Sequence, residues 1–592
     1  MNALRCSAVV VCFFASVHLA VAADDELDAQ VKQIEAILEK WPGWYGDDYR
    51  RAVEATARIL SMPRAAEAYL EPLFDPKTDP YFMPPDKAAL TPEQRKLLKA
   101  VRNRAFYITV MLSQRYGRWL ANAALRKVPA AKRPAAARFL DRLCSDIRPK
   151  VLRRALAVGT DERYVLCAQH VVDLRILDAV EAYCKRNNIP IHSYPVRLLV
   201  HAAGKRDLMR QVFTKHDRYK PFKYLLRCGD AELLTKTFLD QLKMEKDPSR
   251  RGDCLQSIAG IDCPAARKAC LGFLEQERAR LKANREHQLF NIFFPDFFDP
   301  ARAAWYIRLY LDQPELRRDR RSLIFALFEW LRQHRRREGI ELARKVLADG
   351  GKYMSFYHRF ATSYLLALRD KHTVARVRAD LKSKDAKTVD TAIWHLIRAG
   401  LWSGLPDLLQ KKLTEDKLRA VHAGRVLDAA EERLSPEAHG YVRLAAQIEE
   451  HKPRGYALLV RMGDPQATAH LKKLLPDLWV VQRVPAMAAL YEAGEADQFD
   501  GLVAAMQTEG FPPEFRADAA RALGAGPKAL RTRAARALAD QLLSPYGAVS
   551  EGAHAALCKL SGRKDVPFSP WATDDVRTKQ AQVWQAWVRD LR

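Results

Sequence analysis

The sequence predicts an all-α fold, an α-solenoid of stacked helical hairpins, on three observations. The chain of 592 residues is too long for one hydrophobic core, which stops growing at roughly 250–300 residues. An apolar helical stretch, a glycine and a second helical stretch recur at intervals of about 31 residues. No run of alternating β-branched residues indicates a sheet. A hydrophobic fraction of 48% excludes a wholly disordered chain.

Residues 1–22 have the pattern of a cleavable secretory signal peptide. A basic start is followed by an apolar stretch over residues 6–19 and by a small-residue cleavage motif that ends at Ala22. This stretch is shorter than the roughly 20 residues of a membrane-spanning helix. We therefore favour cleavage after Ala22 or Ala23 over an uncleaved anchor. The sequence predicts an exported protein, periplasmic or extracellular, whose mature chain has no transmembrane segment.

The repeat is clearest near the C-terminus, where a glycine separates the two helices of each hairpin. The turn glycines are Gly463, Gly494, Gly526 and Gly562. A residue just past a helix often takes a positive φ, which glycine adopts without steric cost. Less regular turns extend the period upstream, at Gly339, Asp370 and Gly400. One hairpin cannot bury both of its apolar faces, so we expect neighbouring hairpins to stack.

Three features carry a resemblance to a known family. They are the turn Arg461-Met462-Gly463-Asp464-Pro465-Gln466-Ala467, the alanine-rich first helices at 486–490 and 517–523, and the second helix at 531–543. The chain resembles the short bacterial variety of the HEAT-repeat family, most clearly over residues 455–562. The resemblance implies a right-handed α-solenoid with a helical cap at each end. It also implies binding of macromolecules along the length of the solenoid, as is common in this family.

Composition and repeat spacing divide the chain into six predicted segments. These are the signal peptide (1–22), an N-terminal helical region with a proline-rich loop (23–94), irregular cysteine-rich helical repeats (95–290), degenerate repeats with a basic stretch (291–450), HEAT-like repeats (451–565) and a C-terminal capping helix (566–592).

Motifs of metal, nucleotide or nucleophilic chemistry are missing from the sequence. There is no HExxH, CxxC, GxxxxGK[ST] or GxSxG, and the pair Cys167 and His170 lacks the second pair that a zinc site requires. The histidines His358, His395 and His422 occur singly in helical segments, and we interpret them as core or surface residues. The sequence therefore predicts a protein that is not an enzyme and that holds neither a metal nor another cofactor.

The densest basic stretch is the candidate binding site. It comprises Arg317, Arg318, Arg320, Arg321, Arg332, Arg335, Arg336 and Arg337. Arginine forks match carboxylate, sulfate and phosphate oxygens, so one interpretation is an anion-binding patch. The alternative, which we favour for this stretch by itself, is a solvated helix face. The excess of 98 Lys and Arg over 71 Asp and Glu, a net charge of +27, strengthens the broader expectation of acidic partners.

Cysteines allow a second structural prediction, because an exported chain can form disulfides. Cys254 and Cys270 lie at equal distances from the turn at residues 260–264, so a helical hairpin there would place them opposite each other. We favour the alternative that they are small buried hydrophobic residues.

Three functions fit these observations. The first is an exported, non-enzymatic scaffold that binds a protein or an anionic polymer through a basic surface, without specific recognition of nucleic acid. The second is an all-helical α/α-toroid enzyme that acts on acidic polysaccharide, although toroid hairpins are generally longer than 31 residues. The third is a structural component of an envelope assembly.

Overall fold

The structure is a computed structural model. It describes residues 25–40, 47–70, 116–158, 174–186, 300–314, 317, 324–350, 354–403, 405–415, 419–563, 565–568 and 574–591, with isolated helical residues at 239–240, 242–244, 268 and 272. The predicted signal peptide and proline-rich loop lie outside the described residues, as do Cys254, Cys270, Arg318, Arg320 and Arg321. The chain forms two compact units, and each is treated by itself: unit 1 combines residues 1–205 with 465–592, and unit 2 comprises residues 206–464.

Unit 1 contains fourteen described helices. They are α1 (25–39), α2 (Asp47–Leu60), α3 (Pro63–Leu70), α4 (Tyr116–Lys127), α5 (Arg133–Arg142), α6 (Arg148–Val158), α7 (Leu177–Arg186), α18 (Pro465–Leu474), α19 (Val480–Glu492), α20 (Phe499–Gln507), α21 (Pro513–Leu523), α22 (Arg531–Gln541), α23 (Gly547–Ser561) and α24 (Asp574–Asp590).

Unit 2 contains ten described helices. They are α8 (Pro300–Asp312), α9 (Ile324–Gln333), α10 (Ile340–Ala348), α11 (Met354–Ala367), α12 (Lys371–Asp380), α13 (Ala386–Arg398), α14 (Pro406–Thr414), α15 (Arg419–Glu432), α16 (His439–Ala446) and α17 (Lys452–Arg461).

The prediction of an all-α fold is confirmed, since the regular elements among the described residues are all helices and include no strand. Many neighbouring helices pack as hairpins, for example α16 on α17 and α22 on α23. Across the described part of the chain, every helix is too short or too polar to cross a membrane.

Unit 2 is built as a stack of hairpins. Helices α9, α11, α13, α15 and α17 lie side by side, each in contact with the next, and form what we call the odd-helix layer. The intervening helices pack against this layer, and α14 also contacts α16. The core between the helices includes Leu327, Phe328, Tyr364 and Leu365, all fully buried. Phe328 stacks on Tyr364 at 5.6 Å between ring centroids. Hairpins that bury such rings against the next hairpin need no single central core.

In unit 1, the N-terminal helices pack on the C-terminal repeats, a contact that the sequence analysis did not predict. Helix α5 contacts residues Leu475–Asp477. The Asp141 carboxylate accepts a hydrogen bond from the backbone N–H of Val480 at 2.7 Å and pairs with Arg483. Trp479 donates its indole N–H to the Asn122 side chain at 2.5 Å. Burial raises the pKa of Asp141, although Arg483 and the N–H of Val480 act in the opposite direction.

A second set of contacts joins the two segments of unit 1 at Gly510. A β-carbon there would lie 2.3 Å from the Cα of Ser145, so only glycine allows this approach. Ser145 belongs to a π-helical turn, Leu143–Ile147, between α5 and α6. The buried Arg148 donates to the carbonyl of Gly510 at 3.0 Å. The fold therefore fixes the N-terminal segment by backbone as well as side-chain contacts.

Four of the turns predicted from the repeat have the expected backbone. Gly400, Gly463, Gly494 and Gly562 all have positive φ, between 68° and 104°. Asp370 instead caps the start of α12, where its side chain accepts from the backbone N–H of Thr373, and the positive φ of that turn belongs to the preceding Arg369.

Gly526 occupies its place in the repeat for a different reason from the other turn glycines, because its φ is not positive. A β-carbon at Gly526 would lie 1.9 Å from the ring of Tyr491, a fully buried side chain. Close packing between hairpins, rather than a left-handed turn, requires glycine here.

The predicted C-terminal capping helix is α24, which packs against α22. Its Trp584 is fully buried and meets the ring of His554 edge-on at 5.7 Å. Arg577 donates to the carbonyl of Ser544 at 2.8 Å. Val583, next to Trp584 in the chain, is exposed.

Candidate functional site

The first residue of the basic stretch predicted as an anion patch is buried. Arg317 is only 5% exposed. Its guanidinium pairs with the Asp349 carboxylate at 2.6 Å and donates to the carbonyl of Tyr310 at 2.6 Å. These contacts use its Nε, Nη1 and Nη2 atoms. Arg317 therefore belongs to the interior of unit 2 and does not present its charge to a ligand.

The other described arginines of this stretch lie at the end of α9. Arg332 is paired with Glu329 at 2.6 Å. Arg335, Arg336 and Arg337 are exposed, and Arg336 lies 3.8 Å from Glu338. Of the predicted patch, the exposed members that the structure describes are thus the last three.

A different group of arginines converges in unit 2. Arg359 on α11, Arg376 on α12 and Arg398 on α13 all lie close enough to the His395 side chain to lower its pKa. Arg425 follows on α15, the next helix of the odd-helix layer. We call Arg359, Arg376, Arg398 and Arg425 the arginine surface. Arg359 and Arg376 are exposed, and Arg398 and Arg425 are half-buried.

His395 adds no charge to this surface at neutral pH. Its side chain is 8% exposed, and its Nδ1 lies 3.4 Å from the hydroxyl of Ser363. Burial, followed by repulsion from Arg359, Arg398 and Arg376, lowers its pKa to about 4. A neutral imidazole beside a hydroxyl supplies hydrogen-bonding groups among the arginines, which carry the positive charge.

Few carboxylates compensate the arginine surface. Within the described part of the chain, Arg359, Arg398 and Arg425 have no carboxylate within 4.0 Å. Glu329 lies close enough to Arg398 to feel its charge but is hydrogen-bonded to Arg332. Although burial opposes the effect, these two arginines hold the pKa of Glu329 below its usual value. Arg376 donates to the hydroxyl of Thr362 at 3.3 Å. The guanidinium groups thus keep donors free for an incoming anion.

A small cleft adjoins the arginine surface between α13, α14 and α15. Its interior volume is about 10 Å³, room for about one water molecule. Its lining residues are Asp390, Ile393, Trp394, Ile397, Leu409, Lys412, His422 and Arg425. Lys412 pairs with Asp390 at 2.6 Å. The guanidinium of Arg425 lies 5.2 Å from the centroid of the Trp394 ring. The cleft is therefore too small for a ligand and belongs to the packing between these helices.

One cysteine–histidine pair invites comparison with a catalytic dyad. The Cys558 thiol lies 3.5 Å from Nε2 of His554, one helical turn away on α23. Burial raises the pKa of Cys558, to which Asp565 also contributes, and burial lowers the pKa of His554. Both groups are therefore neutral near pH 7, whereas a nucleophilic cysteine needs the thiolate. His554 also stacks on Phe568, so the pair belongs to the packing of the C-terminal cap.

A metal site of the usual kind is not found among the described residues, since they contain no group of three or more His, Cys, Asp or Glu placed to hold an ion. Several basic residues pair with an acid beyond their own helix. Examples are Arg344 with Asp370 at 2.7 Å and Arg443 with Asp464 at 2.7 Å. Such pairs join the elements of unit 2, and Arg359, Arg398 and Arg425 take no part in them among the described residues.

The fold and this surface define the class: an all-helical protein of stacked hairpins with a cationic face on unit 2. Comparison with models of protein families and with curated proteins gives no match. The family therefore stays a prediction that rests on the repeat residues.

The arginine surface was missed by the sequence analysis because its members are dispersed. The basic stretch stood out because its arginines are contiguous, whereas Arg359, Arg376, Arg398 and Arg425 come from four helices and stand singly in the sequence. His395, interpreted as a core or surface residue, is a buried one. The helical period by itself gave no signal that these side chains meet.

Proposed function

We propose that the protein is an exported, non-enzymatic scaffold of HEAT-like hairpins that binds an anionic partner through the arginine surface of unit 2. The observation that carries the proposal is the set of arginines on α11, α13 and α15 that have no carboxylate partner among the described residues. The signal-peptide pattern of residues 1–22 supports a periplasmic or extracellular location.

The physical basis of binding is a charge-assisted hydrogen bond from guanidinium to oxyanion. Such bonds contribute about 1.5–3 kcal/mol each when solvent is excluded, and less when both groups stay in water. Several arginines on adjacent helices therefore provide specificity for an extended or branched anion rather than for a single ion. The His395 imidazole is buried beside the Ser363 hydroxyl and stays neutral, so the arginines supply the positive charge at neutral pH.

The proposal is tested by titrating the mature protein with poly-L-glutamate and with a sulfated polysaccharide at several salt concentrations. We expect affinity to fall steeply with salt, because binding releases counterions. Replacing Arg359 and Arg398 by Gln should weaken binding about tenfold and reduce the salt dependence by about two charges.

The matched control replaces two exposed arginines of α22, Arg531 and Arg536, by Gln. This variant loses the same charge from unit 1 and should retain nearly the full affinity. Equal losses in both variants would mean that net charge alone drives binding, and would contradict the proposal. Formation of unsaturated uronate products from the polysaccharide would instead identify the toroid-type enzyme.

A further inference from the structure

Exposed apolar side chains alternate with the arginines on the odd-helix layer. On α11, Phe356 lies about one turn before Arg359 and is 48% exposed. On α15, Val421 lies one turn before Arg425 and is 49% exposed. Residues one turn apart share a helix face. Helices α11 and α15 therefore each expose an apolar side chain next to an arginine.

The apolar part at α11 is held in place by neighbouring rings. Phe356 contacts Phe360 at 5.0 Å and Phe325 of α9 at 6.0 Å between ring centroids. Phe325 and Phe360 are half-buried, so the patch continues into the core of unit 2. A ring fixed in this way loses little conformational freedom when a partner covers it.

Trp394 of α13 adds a half-buried ring between α11 and α15. The guanidinium of Arg425 lies 5.2 Å from the centroid of the Trp394 ring. An aromatic ring beside an arginine places an apolar edge next to a positive charge.

We propose that the partner is an acidic protein segment whose carboxylates alternate with apolar side chains. The inference rests on the proposed function and names the partner class for the same surface. A polysaccharide or nucleic acid would satisfy Arg359 and Arg398 but would leave Phe356 and Val421 in contact with water. An amphipathic acidic segment covers both, and the apolar contact contributes in proportion to the area removed from water.

Three probes of comparable charge separate these alternatives on the mature protein. They are a synthetic peptide of repeated Glu-Glu-Leu-Leu, a matched peptide of repeated Glu-Glu-Ser-Ser, and a sulfated oligosaccharide. We expect the leucine peptide to bind at least about tenfold more tightly than the serine peptide. The double variant Phe356→Ser with Val421→Ser should bind the leucine peptide and the serine peptide with equal affinity. Its affinity for the oligosaccharide should be unchanged.

The control variant is Leu543→Ser with Val583→Ser, which removes two exposed apolar side chains from unit 1. It should still bind the leucine peptide more tightly than the serine peptide. Thermal unfolding checks that each variant folds, and Val421→Ser by itself provides a second test that leaves the phenylalanine patch intact. Equal affinity for the two peptides would overturn this inference and leave the proposed function standing. Failure of all three probes to bind at low salt would overturn the proposed function itself.

Discussion

Arginines in the core of unit 1 and on the surface of unit 2 serve opposite roles. In unit 1, Arg148 and Arg516 are each 3% exposed and donate to main-chain carbonyls, those of Gly510 and Met506. In unit 2, Arg359 is exposed, lies near other arginines and has no carboxylate partner among the described residues. The same residue type thus fixes the fold where it is buried and leaves donors available where it is exposed.

The difference shows why net charge overestimates the number of basic side chains that are available to bind a partner. A guanidinium buried against carbonyl oxygens keeps its charge but cannot reach a partner. Arg317 of unit 2 does the same beside Asp349, although it begins the most basic stretch of the sequence. The environment of each arginine, and not the local density of charge, decides what it does.

The largest expected effect comes from the polar contact that fixes the N-terminal segment in unit 1. Asp141→Ala should lower the free energy of unfolding by about 4 kcal/mol, because it leaves Arg483 and the N–H of Val480 without their carboxylate. Equilibrium denaturation in urea measures the loss.

Asp141→Asn sharpens this prediction, since the amide oxygen can still accept from Val480. Burial already raises the pKa of Asp141. The negative charge of Asp141 therefore contributes less to stability than the hydrogen bond that its oxygen accepts from Val480. We expect Asp141→Asn to lower the free energy of unfolding by only about 1 kcal/mol. An equal loss in both variants would show that the ion pair with Arg483 dominates instead.

The next effect is a pH dependence of stability that originates at His395 of unit 2. The pKa of His395 is about 4 in the folded protein and 6.5 in its unperturbed form. As pH falls below 6.5, the unfolded chain takes up the proton first, so stability is full above pH 6.5 and is lost towards pH 4. The wild type should lose about 3 kcal/mol more than His395→Asn over this interval.

The groups facing His395 are Arg359, Arg376, Arg398 and Ser363. Denaturation curves recorded at several pH values, for wild type and variant in parallel, separate this residue from the carboxylates that also titrate. Identical pH dependence in the two proteins would contradict the assignment of a depressed pKa to His395.

A smaller loss of stability is expected when a turn glycine is replaced by alanine, and it differs between Gly526 of unit 1 and Gly463 of unit 2. Gly526→Ala should cost about 2 kcal/mol, because the new methyl group meets the buried Tyr491 ring. Gly463→Ala has open space around it, and only its φ of +82° opposes alanine, at about 1 kcal/mol. Thermal unfolding of both variants gives the order, and a reversed order would show that the Tyr491 contact yields easily.

The smallest effect on stability belongs to the arginine surface. Replacing Arg359 and Arg398 by Gln should change the free energy of unfolding by less than about 0.5 kcal/mol at pH 7, because neither residue has a carboxylate partner to lose. The same variant should raise the pKa of His395, since two repelling charges are gone. A nuclear magnetic resonance titration of His395 follows that shift, and an unchanged pKa would refute the proximity of these groups.

Sequence reasoning predicted the fold better than the site, for a physical reason. Gly400 and Gly494 could be found because a left-handed turn restricts the residue type locally. The requirement at Gly526 comes from Tyr491 in another hairpin, and the one at Gly510 comes from Ser145, far away in sequence. Local patterns record local constraints, and contacts between distant segments leave no comparable signal.

The candidate site illustrates the same limit. The basic stretch from Arg317 to Arg337 is conspicuous because its charges are contiguous, yet its first member is buried. Arg359 and Arg398 stand apart in the sequence and meet only because α11 and α13 pack side by side. Hairpin stacking was predicted, but the register that brings these side chains together depends on the packing of the helices.

The measurement that tests the account most directly is arginine modification of the mature protein by phenylglyoxal, followed peptide by peptide with mass spectrometry. We predict that Arg359 and Arg398 react readily and are protected by bound poly-L-glutamate, while Arg148 and Arg516 react only when the protein unfolds. Reaction of Arg359 and Arg398 at the same rate with and without the polyanion would contradict the proposed binding surface.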